Sequence, residues 1–256
     1  MVASELTRYG YCLAILEKPE GIGTMSGKDI TIAGSDGNFG AYLASPASGH
    51  GPGVVVIQEI FGVNDVVRKI CDDHAARGRF ALAPDLFWRL EPGVQLTDKT
   101  QEHWGRAFGL MQKFDADKGV QDIQATISYL RKVPGVSGKV GTVGYCLGGR
   151  LAYLSATRTD TDASVGYYGV YIQASLEEAK KIKKPLMLHI AAKDQFTPPE
   201  AQKQIMDGLK DNKLVTLHVY PEMDHAFARE GGQHYDKACA DLANTRTDTF
   251  FRQHLG

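Results

Sequence analysis

One twelve-residue stretch, Lys139 to Arg150 (KVGTVGYCLGGR), constrains the fold more than any other: an apolar β-like run ends at a glycine-flanked cysteine, and a helix-prone segment begins near Leu147. A side chain lifted out of a sheet on a sharp strand-to-helix turn needs small neighbours, because the strained backbone leaves no room for Cβ atoms at Gly144 and Gly148. Such a turn exposes the Cys146 thiol and sets the Leu147 N–H beside a reacting carbonyl. The positive end of the following helix then favours thiolate over thiol. Two plainer readings stand beside this one. Cys146 could be a small buried hydrophobe, with the glycines easing helix–strand packing, or the glycines could cradle a phosphate. A phosphate loop, however, follows the first strand of its unit, with an acidic residue ~20 positions on, whereas this loop follows a mid-chain strand.

The order of the later polar residues supports the nucleophile. The run Pro185 to Ala191 reads as a buried strand ending at Ala192-Lys193-Asp194, before a turn at Pro198 and Pro199. The next strand, Leu214 to Tyr220, breaks at Pro221, and His225 lies in the loop after it. Nucleophile, acid and histidine, each just after a strand, follow the chain order of a hydrolytic triad. In a parallel sheet the three loops emerge on one side, where ligands bind in open α/β sheets. Taken singly, Asp194 could cap the helix after Pro198, and His225 could be a surface histidine. His189 reads as a satisfied core histidine, and His218 is expected on the opposite face. The eight histidines show no metal-ligand spacing.

Strands are expected near 29–34, 40–44, 53–58, 79–83, 139–144, 163–168, 185–191 and 214–220. Helices are expected near 64–77, 101–113, 117–132, 147–157, 174–181, 199–211 and 234–254. That alternation predicts an α/β fold, a mostly parallel sheet flanked by helices on both faces.

The chain resembles the dienelactone hydrolases (carboxymethylenebutenolidases), a cysteine-dependent branch of the α/β-hydrolases, over about residues 27–256. Four separated segments carry the resemblance: Val54 to Gly62 with Glu59 and Ile60, Gly144 to Gly149, Tyr167-Tyr168-Gly169, and His225-Ala226-Phe227-Ala228-Arg229. It implies an α/β-hydrolase fold with Cys146 as nucleophile, His225 as base and Asp194 as its orienting acid. It further implies that the N–H groups of Ile60 and Leu147 form the oxyanion hole. Phe61, Tyr167 and Tyr168 are then substrate contacts, and Arg229 binds a carboxylate. Without that role, Arg229 would be a solvated arginine beside Glu230.

Two positions after the run Val54-Val55-Val56-Ile57, past Gln58, Glu59 should be buried and costly unless partnered. In the family its counterpart holds the resting thiol until substrate redirects it to take the proton; otherwise it caps the helix near Asn64 or pairs with a surface cation. The family's arginine, tyrosine and tryptophan pattern is not reproduced in register across Asp98 to Phe114, where Trp104, Arg106, Phe108 and Met111 stand instead. Arg106 or Arg89 is the candidate second cation. The implied reaction opens a small carboxylated lactone through a thioester, in the degradation of aromatic compounds, with no cofactor and no metal. A broader cysteine esterase and a non-catalytic redox-sensing homologue are the alternatives.

Composition adds exclusions. The chain carries 29 Lys plus Arg against 30 Asp plus Glu, so no strong field points to nucleic acid or to an acidic membrane surface. A small molecule is the expected partner, and the chain is expected to be a monomer or weak homodimer. Cys12, Cys71, Cys146 and Cys239 show no disulfide-framework spacing, which fits a cytoplasmic location; Cys71 reads as core packing. Residues 1–24 lack the uninterrupted apolar run of a signal peptide. Met25-Ser26-Gly27 looks like an alternative start, so residues 1–26 are taken as an extension and 27–256 as a single domain.

Overall fold

The computed structural model describes residues 27–256; the expected extension at 1–26, with Cys12, lies outside the described residues. Eight strands form one sheet: β1 (Lys28–Ala33), β2 (Asn38–Ala44), β3 (Gly51–Ile57), β4 (Phe80–Pro84), β5 (Val136–Tyr145), β6 (Ser164–Tyr167), β7 (Leu186–Ala191) and β8 (Val215–Tyr220). Their order is β1-β2-β4-β3-β5-β6-β7-β8. The first two pairings, β1 with β2 and β2 with β4, are antiparallel, and every pairing from β4 to β8 is parallel. The runs GPGVVVI of β3 and LMLHIA of β7 are buried along their whole length, as strands covered on both faces must be.

The helices are α1 (Asp65–Ala76), α2 (Gln101–Lys113), α3 (Ala116–Leu130), α4 (Leu147–Arg158), α5 (Pro199–Leu209) and α6 (Lys237–Leu255). Glycine positions show how they are layered. A Cβ on Gly53 would meet Leu130 of α3, whereas one on Gly141 would meet Phe251 of α6. Gly141 follows Val140, the register partner of Gly53, so the two glycines face opposite sides and α3 and α6 cover opposite faces. On the α6 side the rings of His74 and Phe251 lie 6.0 Å apart, and Cys71 is fully buried in the core, as expected.

Boundaries moved where a cap or a kink decides them. The helix expected from 234 begins at Lys237 because Asp236 caps it, accepting from the Cys239 N–H at 2.8 Å. Instead of a helix over 174–181 there is a 3₁₀ segment, Ile172–Lys181, interrupted at Ser175 (φ −131°, ψ 20°). His189 is the satisfied core histidine expected, with Nδ1 2.8 Å from Tyr220 Oη and Nε2 3.0 Å from Thr247 Oγ1. His218 does not face the opposite way. It is the parallel register partner of His189, partners on adjacent strands share a face, and the two rings stack 5.6 Å apart.

The chain leaves β3 toward β4 on one side and later returns to β5 on the other. Their carboxyl ends therefore flank the crevice where strand order reverses, and ligands of open α/β sheets bind there. Ile60 and Cys146 follow these two strands.

Candidate active site

Cys146 sits between β5 and α4 with φ 57° and ψ −115°, outside the regions a non-glycine residue ordinarily occupies. Strain of this kind costs on the order of 1–3 kcal/mol and persists only where the surroundings enforce it. Here they do: a Cβ on Gly144 would lie 1.9 Å from the Gly148 carbonyl oxygen, and one on Gly148 would lie 2.4 Å from that of Ile57. Leu147 opens α4, so its N–H has no intrahelical acceptor. The Ile60 N–H likewise has no acceptor among the described residues.

His225 and Asp194 come together from the loops after β8 and β7. Nδ1 of His225 lies 2.8 Å from Asp194 Oδ2, while Asp194 Oδ1 accepts from the Phe196 N–H at 2.8 Å. Asp194 therefore orients the histidine and does not cap α5, whose cap position is Pro198. The edges of Tyr168 and Phe196 hold the imidazole, with ring centroids 5.1 and 4.8 Å away. Burial alone would lower the His225 pKa. The Cys146 charge, followed by hydrogen bonds to Asp194 and to Cys146, overcomes it and raises the value to about 10. The imidazolium thus belongs to the state in which the sulfur is anionic.

Glu59 is buried, as its position after β3 predicts. Its partner differs from the expected thiol: Oε2 accepts from Arg229 Nη1 at 2.9 Å, and Oε1 is buried without a partner. The Asn64 side chain, not Glu59, caps α1. Nη2 of Arg229 lies 3.2 Å from Asp98 Oδ2, and its guanidinium stands 5.3 Å from the Phe61 ring centroid. Arg229 is therefore no solvated arginine beside Glu230; two carboxylates and an aromatic face hold it.

Cys146, Leu147, His225, Ile60, Phe61 and Arg229 line one cavity of about 280 Å³. Trp104 and Phe108, which stand where the family pattern is broken, form its aromatic wall, with Met111 beside them. Trp104 meets Phe61 edge-on at 5.0 Å and stacks on Phe108 at 5.4 Å.

Four expected contacts lie elsewhere. Arg89 is stacked 4.3 Å over Trp88 and bridges Asp36 and Asp122, so its charge is consumed away from the cavity. Arg106 pairs with Glu91 on the surface. Tyr167 points into the core, its Oη 2.6 Å from Thr247 Oγ1 and 3.0 Å from Asn244 Oδ1. Tyr168 packs behind His225 instead of lining the cavity, and its buried hydroxyl has no partner. Conversely, Arg150, Tyr171 and Phe196 line the cavity without having been singled out. Only Arg150 left a sequence signal: it lies four residues after Cys146, one helical turn on along the same face.

Comparison with known proteins comes to the same place. The model of the "Dienelactone hydrolase family" matches residues 39–255. A protein of Azospirillum brasilense assigned as a carboxymethylenebutenolidase is 53% identical over 231 residues, covering 89% of this chain and 99% of its own length. The carboxymethylenebutenolidase of Pseudomonas putida is 40% identical over 218 residues, 85% of this chain and 92% of its own. Among solved structures, a Klebsiella pneumoniae protein assigned to the dienelactone hydrolases superposes with a TM-score of 0.80 at 27% identity, covering 89% of this chain and 98% of that one.

Proposed function

The chain belongs to the dienelactone hydrolase family, and we propose that it opens small carboxylated lactones of the 4-carboxymethylenebut-2-en-4-olide type through a thioester on Cys146, in the breakdown of aromatic compounds. The observation that carries this reading is that Cys146, His225 and Arg229 converge on one small cavity.

The thiolate of Cys146 attacks the ring carbonyl, and the N–H groups of Ile60 and Leu147 receive the oxyanion. One such donor contributes about 2.7–4 kcal/mol to the transition state. Collapse breaks the ring C–O bond, leaving an acyl thioester whose enolate leaving group stays attached to the acyl chain. The enolate takes a proton from the His225 imidazolium or from incoming water.

Acylation removes the sulfur charge, the strongest influence holding the His225 pKa up. The imidazole is then free to act as base for water attacking the thioester, help worth roughly 10²–10⁴-fold. The carboxylate product leaves and the thiol returns. Glu59 has its place through Arg229. A substrate carboxylate that takes the guanidinium leaves the buried Glu59 carboxylate without its cation and open to accept a hydrogen. Charged substrate would thereby create a second acceptor for the thiol proton.

Steady-state rates on a cis- or trans-dienelactone and on 4-nitrophenyl acetate, for wild type and Arg229→Ala, test the reading. We expect the lactone kcat/KM to fall roughly 10–150-fold in the variant, the range for a hydrogen bond to a charged group, and the acetate to lose far less. Comparable turnover of both substrates by the wild type would mark a broader esterase. No turnover together with selective oxidation of Cys146 would mark a redox sensor.

A further inference from the structure

Two arginines border the cavity, and their surroundings differ. Arg229 is held by Glu59 and Asp98, so that trio carries a net negative charge. Arg150 forms no salt bridge among the described residues; its Nε, like that of Arg229, is buried without a partner. Asp117, the acid whose charge reaches Arg150, is paired with Arg158 at 2.6 Å. Arg150 also stands in the first turn of α4, where the helix dipole opposes a cation, and burial lowers its pKa, with the Arg158 charge adding to this. These factors disfavour the charge in the free protein, and the attraction of a bound anion would offset them.

The site around it is built. Tyr171 is held at φ 58° and ψ 20°, a left-handed conformation uncommon for a bulky residue. From there its ring faces the Arg150 guanidinium, 6.0 Å from centroid to Cζ. Arg150 is thereby anchored beyond β6, while Arg229 is anchored to Glu59 and Phe61 beyond β3; β5, carrying Cys146, lies between these strands. The two cations thus stand on opposite sides of the nucleophile.

We propose that Arg150, braced by Tyr171, is a specificity-determining residue that binds a second carboxylate of the substrate, on the side of Cys146 away from the one that Arg229 takes. This deepens the lactonase reading and rests on its nucleophile and cavity. It narrows the preferred class to small esters and lactones whose acyl portion carries an anionic group within reach of Arg150, the cation without a salt bridge, besides any carboxylate that displaces Glu59 from Arg229.

The test compares 4-nitrophenyl hemisuccinate with 4-nitrophenyl butyrate, acyl chains of equal length with and without a carboxylate. Wild type, Arg150→Met, which keeps the aliphatic stem, and Arg150→Lys, which keeps the charge, are measured at low and high salt. We expect the hemisuccinate-to-butyrate ratio of kcat/KM to fall about tenfold in Arg150→Met, chiefly through KM, and to be largely restored in Arg150→Lys. The fall of the wild-type ratio with added salt should flatten in Arg150→Met. Protection of Cys146 from iodoacetamide by succinate gives a readout without turnover and should weaken in parallel. An unchanged ratio with unchanged protection, or equal losses on both esters, overturns the proposal. Failure of the wild type to open a dienelactone, with the ester ratio still dependent on Arg150, overturns the lactonase reading alone.

Discussion

At the scale of single residues the chemistry depends on coupling between Cys146 and His225. Cys146→Ala should lower hydrolysis of a dienelactone by about 10³-fold or more, as loss of a nucleophile does where the rest of the site acts with it. Circular dichroism should be unchanged, and residual activity of more than a few per cent would remove Cys146 from the nucleophile position. The raised His225 gives a second expectation. Its pKa of about 10 depends foremost on the charge of Cys146 working against burial. In Cys146→Ser, where that charge is absent at neutral pH, the imidazole should titrate well below its wild-type value when followed by NMR of the ring protons. Identical titration in both proteins would mean that Asp194 alone holds the proton.

At the scale of elements, the junction of β5 and α4 is where backbone geometry limits the sequence. A methyl group at Gly144 would sit 1.9 Å from the Gly148 carbonyl oxygen, so the strand and the helix start cannot keep their approach. Gly144→Ala should cost about 2–4 kcal/mol in urea unfolding, from overpacking and displaced backbone. It should also abolish activity, because Cys146 and the Leu147 N–H move together. A stable variant with normal kcat would show that the elbow tolerates a wider turn. The aromatic wall belongs to this scale as well. Trp104 and Phe108 are one turn apart on α2 and stack, so their approach follows from helical spacing once the helix is placed beside Phe61.

At the scale of the whole molecule, α1 and α6 close the face of the sheet opposite α3, and an ionisable group is trapped between them. His74 is buried, and burial, followed by the charges of Arg79 and Arg77, pushes its pKa down to about 3. The sign follows directly. The folded protein keeps His74 neutral, whereas an unfolded chain protonates it below its ordinary value of 6.5. Its contribution is therefore complete above pH 6.5 and is lost as pH falls toward 3. The slope in that window approaches roughly 1.4 kcal/mol per pH unit from this site. Urea midpoints from pH 7 to 4 should fall less steeply in His74→Leu than in wild type, and parallel profiles would show that His74 does not govern acid stability.

The sequence by itself determined the sheet, the elbow and the order of its partners, because these are local: apolar runs of strand length, glycines around one cysteine, and polar residues just past strand ends. It also made Glu59 conspicuous, since an acid after four apolar residues must be buried. What only the tertiary structure decided is which charges remain available in the cavity. Arg89 meets Asp36 and Asp122, 53 and 33 positions away in the chain, and Arg229 meets Glu59 170 positions away. Spacing along the chain gives no measure of such encounters. Arg150 is left without a salt bridge among the described residues while Asp117 closes on Arg158, and Tyr171 reaches it through a left-handed backbone that no residue type signals. An ion pair depends on distances in space, and the chain fixes those distances only after it has folded.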